Sequence, residues 1–96
     1  MPFDGRIRYT SASLSPALVA ANTSAEQTFS NIPKVQAGDM VLAFRKPTAQ
    51  AGLVVTNARV VADGQIAVVF GNLTAVGITP TAAETYDIAV MAKQPN

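Results

Sequence analysis

The side chains that could do chemistry are few: seven Lys or Arg, six Asp or Glu, and neither His nor Cys in 96 residues. Without histidine the chain has no group that changes charge near neutral pH and no Ser-His-Asp arrangement, and it lacks the commonest metal ligand. Without cysteine there is neither a disulfide nor a thiolate nucleophile. The carboxylates Asp4, Glu26, Asp39, Asp63, Glu84 and Asp87 stand singly, Glu84 and Asp87 being the closest two. Three apart on a strand, these two face opposite sides, so a shared acid-base or ligand role needs a bent backbone. They read instead as solvated surface. No glycine-rich loop resembles a phosphate cradle. The expectation is a protein without catalytic residues, cofactor or metal, working through its surfaces and not as an enzyme.

Asn57 and Arg59 are the polar pair worth weighing. They lie on one face of a candidate strand, beside Leu53, Val55 and Val61. They could clamp a partner, or Arg59 could be an outward, solubilising residue.

The elements that carry these residues are short strands. No apolar stripe repeats at helical spacing, and apolar runs alternate with Gly, Pro, Asn and Asp. Candidate strands cover 14–20, with Pro16 demanding an edge position, then 26–32, 40–44, 53–62, 65–70 and 86–92. Asp63-Gly64 between two β-rich runs predicts a hairpin with a type I′ turn. The expected core is Phe29, Leu42, Phe44, Phe70 and Ile88. Met40, Leu42 and Phe44 form the bulky face of one strand, and Tyr86, Ile88 and Val90 that of the last. The small residues on their reverse faces, where polar ones are usual, could meet a neighbouring subunit or simply be tolerated apolar surface.

Residues 1–12 read as an extended N-terminal arm. Arg6, Ile7, Arg8 and Tyr9 alternate charge with apolar bulk, and Phe3 adds a further large group. Such a segment can add to another chain's sheet edge, or pair within its own domain. The organisation is therefore an arm over 1–12, one antiparallel β-sandwich or barrel of six to seven strands over 13–93, and a flexible tail over 94–96. The candidate partner interface is Phe3, Arg6, Ile7, Arg8, Tyr9 and Arg59.

Composition bounds the partners. Hydrophobic residues are 49% and charged residues 14%, well under the roughly 25% charged of an average domain. A surface so poor in charge suggests apolar area covered by a partner. With a net charge of +1 and no basic run beyond Arg45-Lys46, nucleic-acid binding is not expected. The first residues lack a signal peptide's apolar core, and runs such as 66–70 are too short to span a bilayer; no membrane is expected.

Six stretches together resemble a family of small virion-associated proteins of tailed bacteriophages, found as capsid decoration or head-fibre modules. They are VAANTSAEQTF (19–29), VQAGDMV (35–41), KPTAQAG (46–52), NARV (57–60), IAVVFGN (66–72) and ITPTAAETY (78–86). The resemblance implies a compact β-rich module on the virion surface, made in the host cytoplasm, that binds the major capsid protein and cements the head. It carries no catalytic residues. One departure stands out: a glycine is expected near position 83, before Glu-Thr-Tyr, and the chain has Ala83. Closed self-association is also expected, with a trimer favoured by the threefold positions of capsid shells. The competing reading is a receptor- or glycan-binding module of a fibre or baseplate, which the absence of Trp and the presence of only Tyr9 and Tyr86 disfavour.

Overall fold

The structure is a computed structural model, and it describes residues 7–92. Alternating apolar and polar runs become six antiparallel strands: β1 (Ile7–Leu14), β2 (Thr23–Phe29), β3 (Met40–Arg45), β4 (Leu53–Ala62), β5 (Gln65–Asn72) and β6 (Glu84–Met91). They form two three-stranded sheets, β1-β6-β3 and β2-β5-β4, packed as a sandwich. No helix forms among the described residues. The all-β reading therefore stands.

The central strands β5 and β6 supply most of the core. Ile66, Val68 and Phe70 face Tyr86, Ile88 and Val90, all buried, as the two-residue period requires. Phe29 meets Phe70 edge-on, with ring centroids 6.4 Å apart, and Phe44 tilts against Tyr86 at 5.2 Å. Connections complete the core: Val19, Ile32 and Val35 are buried although none lies in a named strand. Val19 is held by a two-way backbone pair with Ile78, at 2.8 and 3.0 Å.

Several expectations need correction. Residues 7–12 are not a free arm; with Ser13 and Leu14 they form β1, paired along its length with β6 from Ile7↔Met91 to Leu14↔Glu84. Backbone hydrogen bonds to β6 are made at once within the chain, so this pairing wins over a distant partner. Residues 1–6, with Phe3 and Arg6, and residues 93–96, with the expected tail, lie outside the described residues. The strand expected over 14–20 does not form. The chain leaves the sheet after Leu14, Pro16 has no N–H for a ladder, and Gln27 instead holds Ala17 through both its N–H (2.8 Å) and its carbonyl (3.1 Å). β2 lies three residues upstream of the expected 26–32: Asn31 turns left-handed (φ 62°), and the Ile32 N–H is drawn to the Gly64 carbonyl at 2.9 Å.

Two bulges overturn the face assignments. In β3 the register slips between Val41 and Ala43, so Val41 and Phe44 pack against the core while Met40 and Leu42 are exposed. Leu42 is therefore not a core residue; an extra residue in one strand reverses the alternation beyond it. In β4 the slip between Val55 and Asn57 turns Leu53 and Val55 inward and Asn57 and Arg59 outward.

The Asp63-Gly64 hairpin forms, but not as a type I′ turn. Only Gly64 has positive φ (71°), and the register shifts between Val60 and Ala62, a bulged turn with glycine in the left-handed position. The hairpin tip is strapped to the preceding loop, with Gly64 N–H to Val35 O and Ile32 N–H to Gly64 O both at 2.9 Å.

Position 83 accounts for the expected glycine. Ala83 has φ 58°, where a Cβ is costly, and its N–H donates to Ser15 Oγ at 2.9 Å. Ala83→Gly is expected to stabilise the fold by about 0.5–1 kcal/mol, since removing the Cβ strain outweighs the added chain entropy. Gly64→Val, by contrast, should cost about 1–3 kcal/mol by placing a β-branched residue at positive φ. Urea denaturation of both variants reads the two opposite signs; equal midpoints would contradict the backbone assignment.

Candidate partner-binding face

The pleat sends alternate residues of the β1-β6-β3 sheet away from the core, and the pairing lines them up in rows. Ile7, Met91 and Met40 form the first row. Tyr9, Ala89 and Ala43 form the second, with Leu42 added by the bulge. Ser11, Asp87 and Arg45 form the third. The first two rows are apolar and uncharged. Tyr9 is 74% exposed, Met40 59%, Leu42 46% and Ile7 37%. The small Ala89 and Ala43 leave a shallow depression bounded by Tyr9, Arg45 and Asp87. The third row closes the patch with an exposed ion pair, Arg45 to Asp87 at 2.5 Å.

The outer face of the other sheet differs. Glu26 on β2 and Arg59 on β4 reach across β5 and meet in two parallel hydrogen bonds, both 3.1 Å, above the small Ala67 and Val69. That bidentate contact holds the Glu26 carboxyl below the usual carboxylate range and raises the Arg59 guanidinium. The sandwich thus has one outer face that is apolar over two rows with an ion pair at its rim, and one crossed at its central strand by an ion pair.

The candidate interface residues are consequently divided. Ile7 and Tyr9 share the apolar face. Arg8 points to the opposite side of β1, donating to Lys34 O at 2.9 Å and pairing with the nearly buried Asp39, which also accepts the Gln36 N–H at 2.9 Å. Arg8 is a tether for the 33–39 loop within its own chain. Arg59 belongs to the other sheet, outward-facing as one of its two readings had it. Met40, Leu42, Ala43 and Met91 complete the face and were absent from the expected set. Their signal was present as strands apolar on both sides; the β3 bulge concealed which side was the outer one.

At the end where β6 begins, polar side chains are used for structure. Lys46 Nζ lies 3.0 Å from Glu84 Oε1 as an ion pair without hydrogen-bond alignment, both side chains being about nine-tenths buried, while Thr48 Oγ1 donates to the other Glu84 oxygen. The Thr48 hydroxyl above all holds the Glu84 carboxyl below its ordinary range; burial opposes it, and Lys46 adds a lesser lowering. As expected, Glu84 and Asp87 face opposite sides of β6, but only Asp87 is solvated surface: it pairs with Arg45 in the open, while Glu84 is nearly buried against Lys46. Asn72, almost fully buried, donates to Val19 O (3.0 Å) and Val76 O (2.8 Å) and accepts from the Thr74 N–H (2.8 Å) and hydroxyl (2.7 Å). No group of three or more potential metal ligands occurs among the described residues.

Compared with protein-family models, curated proteins and solved structures, the chain matches none.

Tyr86 ends this cluster differently. Its ring is fully buried and its hydroxyl has no hydrogen-bond partner among the described residues; burial first, and then the nearby Glu84 charge, push the phenol up to about 12. Tyr86→Phe removes an unsatisfied polar atom and should stabilise the fold by about 1 kcal/mol. The raised phenol also sets a sign: its contribution is complete below about pH 10 and lost as pH rises towards 12. Thermal melts from pH 8 to 12 should show an alkaline fall that is shallower in Tyr86→Phe; a lower melting temperature at pH 8 in the variant would mean that the hydroxyl is satisfied.

Proposed function

We propose that this protein is a structural component of a tailed-phage virion that binds the outer surface of the capsid and stabilises the head. The observation that carries this reading is the pair of uncharged rows on the outer face of the β1-β6-β3 sheet, where Ile7, Tyr9, Met40 and Leu42 stand in solvent around Ala43 and Ala89. Exposed apolar residues grouped on a rigid sheet, rimmed by polar ones, are characteristic of protein-protein contact sites. Depletion of charge at the centre with an ion pair at the rim follows the anatomy of such interfaces. The resemblance of the sequence stretches to virion-associated proteins supplies the partner, the major capsid protein.

The physical role fits the surface. A cement protein acts by adding buried contact area between neighbouring capsomers, which needs no reacting group. Many equivalent sites multiply a modest gain at each. The polar face closed by Glu26 and Arg59 would then point to solvent. The glycan-binding alternative is weakened further by the burial of Tyr86, which removes one of the two tyrosines as a stacking platform.

Tyr9→Thr combined with Leu42→Thr should weaken binding to capsids of the cognate phage at least tenfold while leaving the melting temperature within a few degrees, because Thr suits an exposed strand. Co-sedimentation of labelled protein with purified capsids measures it. Unchanged binding by the folded double variant would move the contact elsewhere, and strong retention on a host-glycan column would favour the fibre reading.

A further inference from the structure

Four strands lie at sheet edges, and three of them are blunted. β3 and β4 each contain a register slip and lie against one another where the two sheets meet. Beside β2, the Gln27 side chain holds the Ala17 backbone by two hydrogen bonds. Bulges and covering segments are the usual protection of an edge. β1 has neither. It runs eight residues in unbroken register with β6, contains no Pro or Lys, and makes no backbone hydrogen bond other than its ladder among the described residues.

We propose that the free edge of β1 pairs antiparallel with β1 of a second copy, joining two three-stranded sheets into one of six strands about a two-fold axis. The charge distribution selects a second copy. Arg8 is the only charged residue of β1 and is neutralised by Asp39 of its own chain, so two β1 strands meet without like-charge repulsion. The pleat places residues of equal parity opposite one another, which brings Ile7, Tyr9, Ser11 and Ser13 of both copies onto one side. The apolar outer faces of the two protomers then become a single continuous surface. Pairing of this kind closes at two copies, in place of the trimer expected from shell symmetry, and it stands whether or not the partner surface is a capsid.

The absence of cysteine permits a direct test. Single Tyr9→Cys, Thr10→Cys, Ser11→Cys and Ala12→Cys variants of the full chain are oxidised at tens of micromolar, with Thr28→Cys on β2 as the control. Across a two-fold axis only the residue at the axis has its own copy about 4.5–5.5 Å away between Cα atoms, within disulfide reach; the next residues are too distant. One of the four positions should therefore cross-link at least tenfold more than its neighbours and the control. Sedimentation of the parent should give a species of twice the 10.0 kDa chain mass, and Ser11→Lys should raise the dissociation constant at least tenfold with a native amide spectrum. A monomer at 100 μM, a trimer, or equal cross-linking at all positions overturns the proposal. A monomer whose β1 amides become protected from exchange only on the capsid overturns it too, and gives the edge to another chain.

Discussion

A three-stranded sheet is too narrow to seal a core against another of the same width, and this constraint governs the rest of the molecule. Only β5 and β6 have neighbours on both sides, so the ends and sides of the sandwich must be closed by connecting segments. Each segment is fixed by a polar side chain that bonds to backbone. Asn72 gathers Val19, Thr74 and Val76; Gln27 holds Ala17; Gln50 holds Thr79 O at 3.1 Å and the Thr81 N–H at 2.9 Å. At the other end Asp63 accepts the Ala37 N–H at 2.8 Å, and Arg8 with Asp39 secures the loop between them. Buried polar atoms left without such partners are costly, so the same bonds that close the core also make loop positions specific.

Close packing adds to this specificity. At Gly52, with φ 83°, a Cβ would fall 2.2 Å from Thr74 Cγ2, and the Gly52 carbonyl accepts the Leu73 N–H at 2.8 Å. The loop after β5 is thereby seated on the start of β4, which presents Leu73 and Val76 at its surface in a fixed conformation. Lys46, Thr48 and Glu84 bind one another between β3, its following loop and β6.

The difference between the two outer faces links this architecture to the proposed role. Glu26 and Arg59 satisfy each other over small β5 residues, giving a face that has no unmet electrostatic demand. On the other face, the rows bearing Tyr9, Met40 and Leu42 hold no such pair among the described residues, and Arg45 with Asp87 stands only at their rim. A molecule whose described charged groups are largely paired within the chain, and which groups exposed apolar side chains on one sheet, is suited to the proposed role of adhering by area.

Four of the six strands were legible from residue type: the bounds expected for β4 coincide with Leu53–Ala62, and those for β3, β5 and β6 differ by one or two residues at an end. By contrast, β1 was expected as an arm, β2 lay three residues off and no strand formed over 14–20. Period-two alternation correctly placed Tyr86, Ile88 and Val90 inside, because β6 is unbroken and parity carries along it. The same rule failed for Leu42, and for Val55 relative to Arg59, since a single extra residue inverts parity and leaves no compositional trace. The missing glycine at position 83 was a sequence signal with a structural meaning, a left-handed residue ahead of β6. Pairing partners were beyond sequence. Whether residues 7–12 reached outward or joined β6, and whether Arg8 met another chain or Asp39, depended on which hydrogen-bonding edge folding brought within reach. The sequence determined that the protein is made of strands and is poor in reactive groups, because both are properties of individual residues and their local spacing. Only the tertiary structure decided which apolar side chains face solvent together, because that depends on bulges and on contacts between residues far apart in the chain.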